Sequence, residues 1–238
     1  MRLVSVTLWM LAGAALTGGA YWLFLITPES TIGALAASAL LVTSAAFLAA
    51  MTLSGAITGW RHGLSASHLR PAIAGVPAGI PAALVVFAAW WLVGSATDRI
   101  TISSGLINAW VIAVLGWDDV SWLFTGISWL AAWLKWVVAP MLALSLMAGI
   151  LSDGWRTLAR IRWIPRALGP LPLGVATIAF GVLVLAPWVY LTPWRPAGLP
   201  ATSVELAFIA AKLAFTAASM STGLALIVRQ AIWTTSTP

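Results

Sequence analysis

At 238 residues, with 61% hydrophobic and 8% charged side chains and a mean hydropathy of +1.00, the chain lies outside the range of soluble domains, where roughly 25% of residues are charged. The net charge of +6 does not point to nucleic acid, because the positive residues are few and sorted along the chain as membrane topology sorts them. With no cysteine, disulfides, thiolate metal sites and thiol nucleophiles are all excluded.

These totals predict an all-α, polytopic integral membrane protein. It is read as a single transmembrane domain over residues 1–238, with about six transmembrane helices and short interfacial or re-entrant helices on the outer side. The first crossing is read over 3–26. Thr17-Gly18-Gly19-Ala20 loosely imitates a leader cleavage site, but apolar character continues from Tyr21 to Leu25, so an uncleaved helix is expected. It stops before Pro28 and Glu29, with Trp22 at headgroup level.

The second crossing, 32–58, is rich in small residues, among them Ala45, Ala49, Gly55 and Gly59, which let neighbouring backbones approach closely. Gly55 and Gly59 form a GxxxG. Arg61 to Pro71 is an inner loop holding the only two histidines, His62 and His68. Their spacing does not align two imidazoles on one helix face, so no metal site is expected. A third crossing over 73–96 carries Pro77 and Pro81 in its first turns, where a missing N–H costs little.

Asp98-Arg99 is expected to open an outer, Trp-rich cap over 98–132. Leu106 to Leu115 is too short to cross, since apolar runs of about 10–14 residues lie in the interface, re-enter or are buried under protein. Asp118-Asp119 is read as a solvated helix start. A single helix over 119–151 would measure on the order of 48 Å against a hydrocarbon core of about 30 Å. The spacing is therefore resolved as an interfacial helix over 120–132 followed by a crossing over 133–152. Trp122, Trp129, Trp133 and Trp136 fall on one helix face and read as an interfacial aromatic belt, with Lys135 reaching toward the surface. The competing reading of that stripe is an aromatic wall for a flat or cationic ligand.

Inside, Arg156, Arg160, Arg162 and Arg166 form a basic connection suited to anionic lipid headgroups. The fifth crossing, 173–191, ends in Trp188, Tyr190 and Trp194. The sixth is 203–228. Basic residues then fall mainly on one side (Arg2, Arg61, Arg70, the four arginines above and Arg229), while Glu29, Asp98, Asp118, Asp119 and Glu205 fall on the other. That asymmetry predicts a multi-pass protein of the cell inner (plasma) membrane with both termini cytoplasmic.

Gly59-Trp60-Arg61 is echoed by Gly154-Trp155-Arg156, which suggests a duplicated unit. For chemistry, the candidates are Lys212, deep in the sixth crossing, and Glu205 two turns above it. Charged groups inside a bilayer are functional candidates by default. No nucleophile is accompanied by a placed base, no HExxH exists and no phosphate-cradling loop is present. No cofactor is expected. The sequence therefore predicts a non-catalytic membrane subunit or scaffold that packs against lipid or another membrane protein. A small permease using Lys212 and Glu205 is the alternative, and an intramembrane enzyme is the least supported class.

Overall fold

The computed structural model describes residues 2–27, 31–74, 76–116, 120–159, 162–194 and 202–236. Among them every regular element is helical. Helix α1 spans Arg2–Ile26 and α2 spans Ile32–His62, with a short α3 at Ala66–Ala74 before α4 at Val76–Leu115. Helix α5, Ser121–Trp133, continues through a π-helical turn at Leu134–Val138 into α6, Ala139–Asp153. A 3₁₀ turn at Gly154–Leu158 and a short α7 at Trp163–Ala167 lead to α8, Pro170–Ala179, which extends through π turns at Phe180–Leu185 and Pro187–Leu191. Helix α9, Thr202–Ser236, closes the chain. Among the described residues six stretches are long and apolar enough to cross a membrane: Arg2–Ile26, Ile32–His62, Trp90–Leu115, Ser121–Leu158, Pro170–Leu191 and Ser203–Thr235.

Two expected breaks are missing, and both omissions have the same cause. Between Pro81 and Pro140 the chain contains no proline, so nothing in the covalent backbone stops a helix there. Helix α4 therefore runs straight through Asp98-Arg99, and Leu106 to Leu115 is its last part rather than a separate interfacial helix. It ends at Gly116, whose φ of 65° is a left-handed conformation that glycine adopts without penalty. The Gly116 N–H closes the end on the Ile112 carbonyl at 3.1 Å. Likewise the segment after Val120 is one helix down to Asp153, not an interfacial piece and a crossing. Asp118 and Asp119, the expected helix start, lie outside the described residues, as does Glu29.

The π turns sit where prolines remove a donor. Pro140 has no N–H to give to the Lys135 carbonyl five residues back. That carbonyl accepts instead from Trp90 Nε1 of α4, at 3.1 Å. Pro187 similarly leaves the Leu183 carbonyl without the N–H an α-helix would supply, and Ser219 Oγ of α9 donates to it at 2.9 Å. In each case the helix keeps its direction because a neighbouring side chain satisfies the exposed carbonyl.

Helix α9 is the centre of the bundle, touching α1, α2, α6, α7 and α8. Around it Val6, Met10, Ile57, Met141, Leu144, Ala148, Ala176, Ala225, Val228 and Ala231 form a buried core. The α1–α2 pair is packed through glycine. Gly13 faces Thr52, and Gly55 faces the Trp9 indole, whose Nε1 donates to the Thr52 carbonyl at 2.8 Å. Gly59 faces Leu64 and Val6. The GxxxG is thus occupied within the chain.

Candidate functional site

The four tryptophans of the expected stripe divide between two environments. Trp122, Trp129 and Trp136 are largely exposed, whereas Trp133 packs against the core and donates from Nε1 to Thr177 Oγ1 at 2.9 Å. That bond fixes a level in the bundle. Thr177 lies roughly 21 Å along its helix from Leu191, at 1.5 Å per residue, so Trp133 is far from the aromatic end at Trp188, Tyr190 and Trp194. One face of a helix has become an inter-helix clamp at Trp133, a half-exposed contact with Trp90 of α4 at Trp136 and an exposed aromatic surface at Trp122 and Trp129.

Lys135, two residues past Trp133, sits within the π turn. Its Nζ lies 3.4 Å from Asp98 Oδ1 on α4, and 6.0 and 5.9 Å from the ring centres of Trp90 and Trp136. The two indoles meet edge to face, 5.9 Å apart, and below the ammonium the Gly94 backbone leaves room for the lysine stem. The lysine side chain is 23% exposed and the carboxylate 66% exposed. This pair is not at a helix end. Asp98 lies roughly 26 Å from Leu115, and Lys135 about 21 Å from Ser121 and about 27 Å from Asp153, counted along the helices. The helix start expected at Asp98-Arg99 is therefore corrected: Asp98 and Arg99 stand within the continuous α4, and Lys135 within the helix that runs from α5 into α6.

Lys212 has a different setting. Its Nζ donates to the Thr192 carbonyl at 2.7 Å and the Trp194 carbonyl at 3.1 Å, and it lies 5.8 Å from the Phe208 ring centre. Phe208 in turn packs edge-on against Trp194 at 5.4 Å. Thr192 and Trp194 close the π turn that ends this helix, where unpaired carbonyls and the negative end of the helix dipole favour a cation. Glu205 is exposed on the first turns of α9. The structure does not bring it to Lys212, which binds the end of the preceding helix.

Compared with known proteins, the chain matches no family model, no curated protein and no solved structure.

At the opposite end of the bundle, basic groups converge. Arg61 reaches the Ala148 carbonyl and Thr235 Oγ1, each at 3.4 Å, and Arg2 donates to the Trp60 carbonyl at 3.2 Å. Arg229 lies over the Trp60 ring at 5.5 Å, while Trp60 Nε1 donates to the Ala225 carbonyl at 2.9 Å. Arg156, Arg162 and Arg166 are exposed on the following connection, and Arg160 lies outside the described residues. The two triplets fold differently: Gly59-Trp60-Arg61 lies in the last turn of α2, while Gly154, at φ 67°, terminates α6 and leaves Trp155 exposed.

The histidines are closer than their spacing suggested. Gly63, at φ 90°, turns the chain so that the His62 and His68 rings lie 5.5 Å apart, with His68 Nδ1 bonded to Ser65 Oγ at 2.8 Å. Among the described residues no group of three or more potential ligands gathers around a common point.

The Asp98–Lys135 pair had a signal in the sequence. The two residues stand at nearly equal distances on either side of Gly116. If that glycine is the turn of a helical hairpin, positions equidistant from it face each other.

Proposed function

We propose that this chain is a non-catalytic, multi-pass subunit or scaffold of the cell inner (plasma) membrane. In this reading the basic end, with Arg2, Arg61 and Arg229, faces the cytoplasm together with both termini, and Arg156, Arg160, Arg162 and Arg166 meet anionic headgroups. The aromatic end at Trp188 and Trp194 faces out.

The observation that carries the reading is where the interior polar groups point. Lys212 caps a helix end, Trp9, Trp60, Trp90 and Trp133 bond to neighbouring helices, and Ser145 pairs with Thr234 at 3.1 Å. Each holds one helix to another, as polar side chains do in lipid. A permease would require Lys212 and Glu205 to converge on a substrate, and the lysine's carbonyl partners weigh against that use. The exposed indoles of Trp122 and Trp129 are the natural docking surface, since aromatic residues dominate the energetics of such contacts.

The test has two arms. Reconstituted in sealed vesicles, the protein is expected to carry no solute or ion flux, and Lys212→Ala to leave that result unchanged. In native membranes, Trp122→Ala with Trp129→Ala is expected to release a co-purifying membrane component while the chain stays folded. A flux abolished by Lys212→Ala would establish the permease instead.

A further inference from the structure

We propose that His62 and His68 form a two-imidazole site for a late first-row divalent cation such as Zn²⁺, and that the bound ion fastens the end of α2 to α3. They are the chain's only histidines. His62 is the last residue of α2 and His68 stands in the first turn of α3, yet their ring centres lie 5.5 Å apart, with the planes tilted by 39°. Two imidazoles bound to one tetrahedral ion through nitrogens at about 2.0–2.1 Å have ring centres about 5 Å apart. The pair already stands close to that separation. Neither residue has a part in the contacts that support the subunit reading.

The backbone holds the two rings in place. Gly63, at φ 90°, closes α2 with its N–H on the Gly59 carbonyl at 3.1 Å, and the His68 and Leu69 N–H groups bond to the Ser65 carbonyl at 3.1 and 2.9 Å. Ser65 Oγ lies 2.9 Å from Ser67 Oγ and 2.8 Å from His68 Nδ1. A hydroxyl has one proton. Given to Ser67, it leaves the Ser65 oxygen to accept from His68 Nδ1–H, which puts the lone pair of that ring on Nε2. Metal-ligating histidines are held in this way, one nitrogen on a polar neighbour and the other free for the ion. Both histidines are exposed, so an ion reaches them from solvent, and the His62 imidazole has no hydrogen-bond partner among the described residues.

Ligand chemistry selects the ion. Among the described residues no carboxylate joins the two rings as a third ligand, so Mg²⁺ and Ca²⁺, which seek oxygen, have nothing to hold, whereas imidazole suits Zn²⁺, Ni²⁺ and Cu²⁺. Water completes the coordination, as at other open sites. Arg61, beside His62, does not crowd the ion, because its guanidinium turns to the Ala148 carbonyl and Thr235 Oγ1 on other helices. Binding draws its strength from chelation: once one imidazole holds the ion, the fixed turn presents the other at high effective concentration. Affinity therefore depends on both rings together.

The experiment uses the full chain in detergent, with no added histidine tag, stripped with a chelator and titrated with Zn²⁺ by calorimetry. One ion per chain is expected, undisturbed by excess Mg²⁺. His62→Ala and His68→Ala should each weaken binding about 100-fold, and Ser65→Ala, which frees the His68 ring without removing a ligand, about tenfold. Cu²⁺ gives a second readout: its electron paramagnetic resonance should show two imidazole nitrogens in the parent and one in either single variant. Saturating Zn²⁺ should slow hydrogen exchange of the His68 and Leu69 amides, by up to about 100-fold at an ion concentration 100 times the dissociation constant, and should leave it unchanged in the double alanine variant. Two ions per chain, with one lost in each single variant, would show independent imidazoles and overturn the proposal. So would Zn²⁺ binding of undiminished affinity in either single variant or in the double variant. Binding that leaves the exchange of His68 and Leu69 untouched overturns the fastening of α2 to α3.

Discussion

The chain has two lysines, and the structure uses them in opposite ways. Lys212 serves local backbone: its ammonium closes the carbonyl end of the helix immediately before its own. Lys135 serves tertiary structure, tying α5–α6 to α4 through Asp98 and lying between two indoles. The residue that looks exceptional in sequence, a lone cation deep in an apolar run, is thereby a helix cap. The one that looks ordinary, beside a tryptophan belt, is a mid-helix ion pair. A lysine's role follows from which acceptors the backbone presents to it, and those are not visible from its flanking residues.

The largest effect should fall on the mid-helix member. Lys135→Met leaves Asp98 without its counter-charge far from either helix end. Breaking a fully buried pair costs about 3–5 kcal/mol, and the exposure of Asp98 reduces this to about 2 kcal/mol. Lys212→Met deprives carbonyls at a helix terminus, which water can reach, and should cost about 1 kcal/mol. Denaturation in detergent micelles is expected to rank them in that order. Adding Asp98→Asn to Lys135→Met should recover at least half of the loss, because the orphaned carboxylate is then gone. Equal costs for the two lysines would erase the contrast.

How much of this was legible follows the same division. Helical class and six apolar stretches follow from composition and run length, because an uninterrupted apolar segment has few ways to satisfy its backbone other than as a helix. The basic end was legible too, since Arg61 and Arg229 sit at the ends of their apolar runs. Helix ends at glycine were missed where a charged pair offered an earlier, plausible stop. Asp98-Arg99 looked like a surface, and only the absence of a proline before Pro140 argued otherwise. The division of the Trp stripe was illegible for a related reason: periodicity places Trp133 and Trp136 near one face, but which indole finds a hydroxyl depends on Thr177, a residue of another helix. Inter-helix partners are set by packing, and the 3.6-residue period carries no information about them.

The contrast can be sharpened through the carbonyl of Lys135 itself. Trp90 Nε1 supplies the donor that Pro140 lacks, so Trp90→Phe should cost about 1 kcal/mol by leaving that carbonyl unpaired. In a Pro140→Ala background the backbone regains an N–H within reach. There the cost of Trp90→Phe is expected to fall to less than half, since the loss of indole packing is common to both backgrounds and cancels in the difference. A cost unchanged by Pro140→Ala would show that Trp90 stabilises α4 against α6 through its ring alone.

The smallest effect belongs to the matching arrangement on the Lys212 side of the bundle. Ser219 Oγ donates to the Leu183 carbonyl, four residues before Pro187, and one turn further along α9 Gly223 lets the two backbones close up, with Leu183, Val184 and the Ala179 carbonyl within 3.2 Å of where a Cβ would stand. Ser219→Ala removes one neutral hydroxyl and little volume, so about 0.5 kcal/mol is expected, at the low end for a hydrogen bond. Gly223 holds the helices together whether or not the serine is present, and for that reason the π turns after Ala179 should persist in the variant. Hydrogen exchange of the amides from Trp188 to Leu191 reads this directly. Protection within about a factor of two of the parent protein, the factor that 0.5 kcal/mol corresponds to, is the expected result. Exchange as fast as in an unfolded segment would mean that the serine, rather than the close glycine contact, holds the proline-interrupted helix in place.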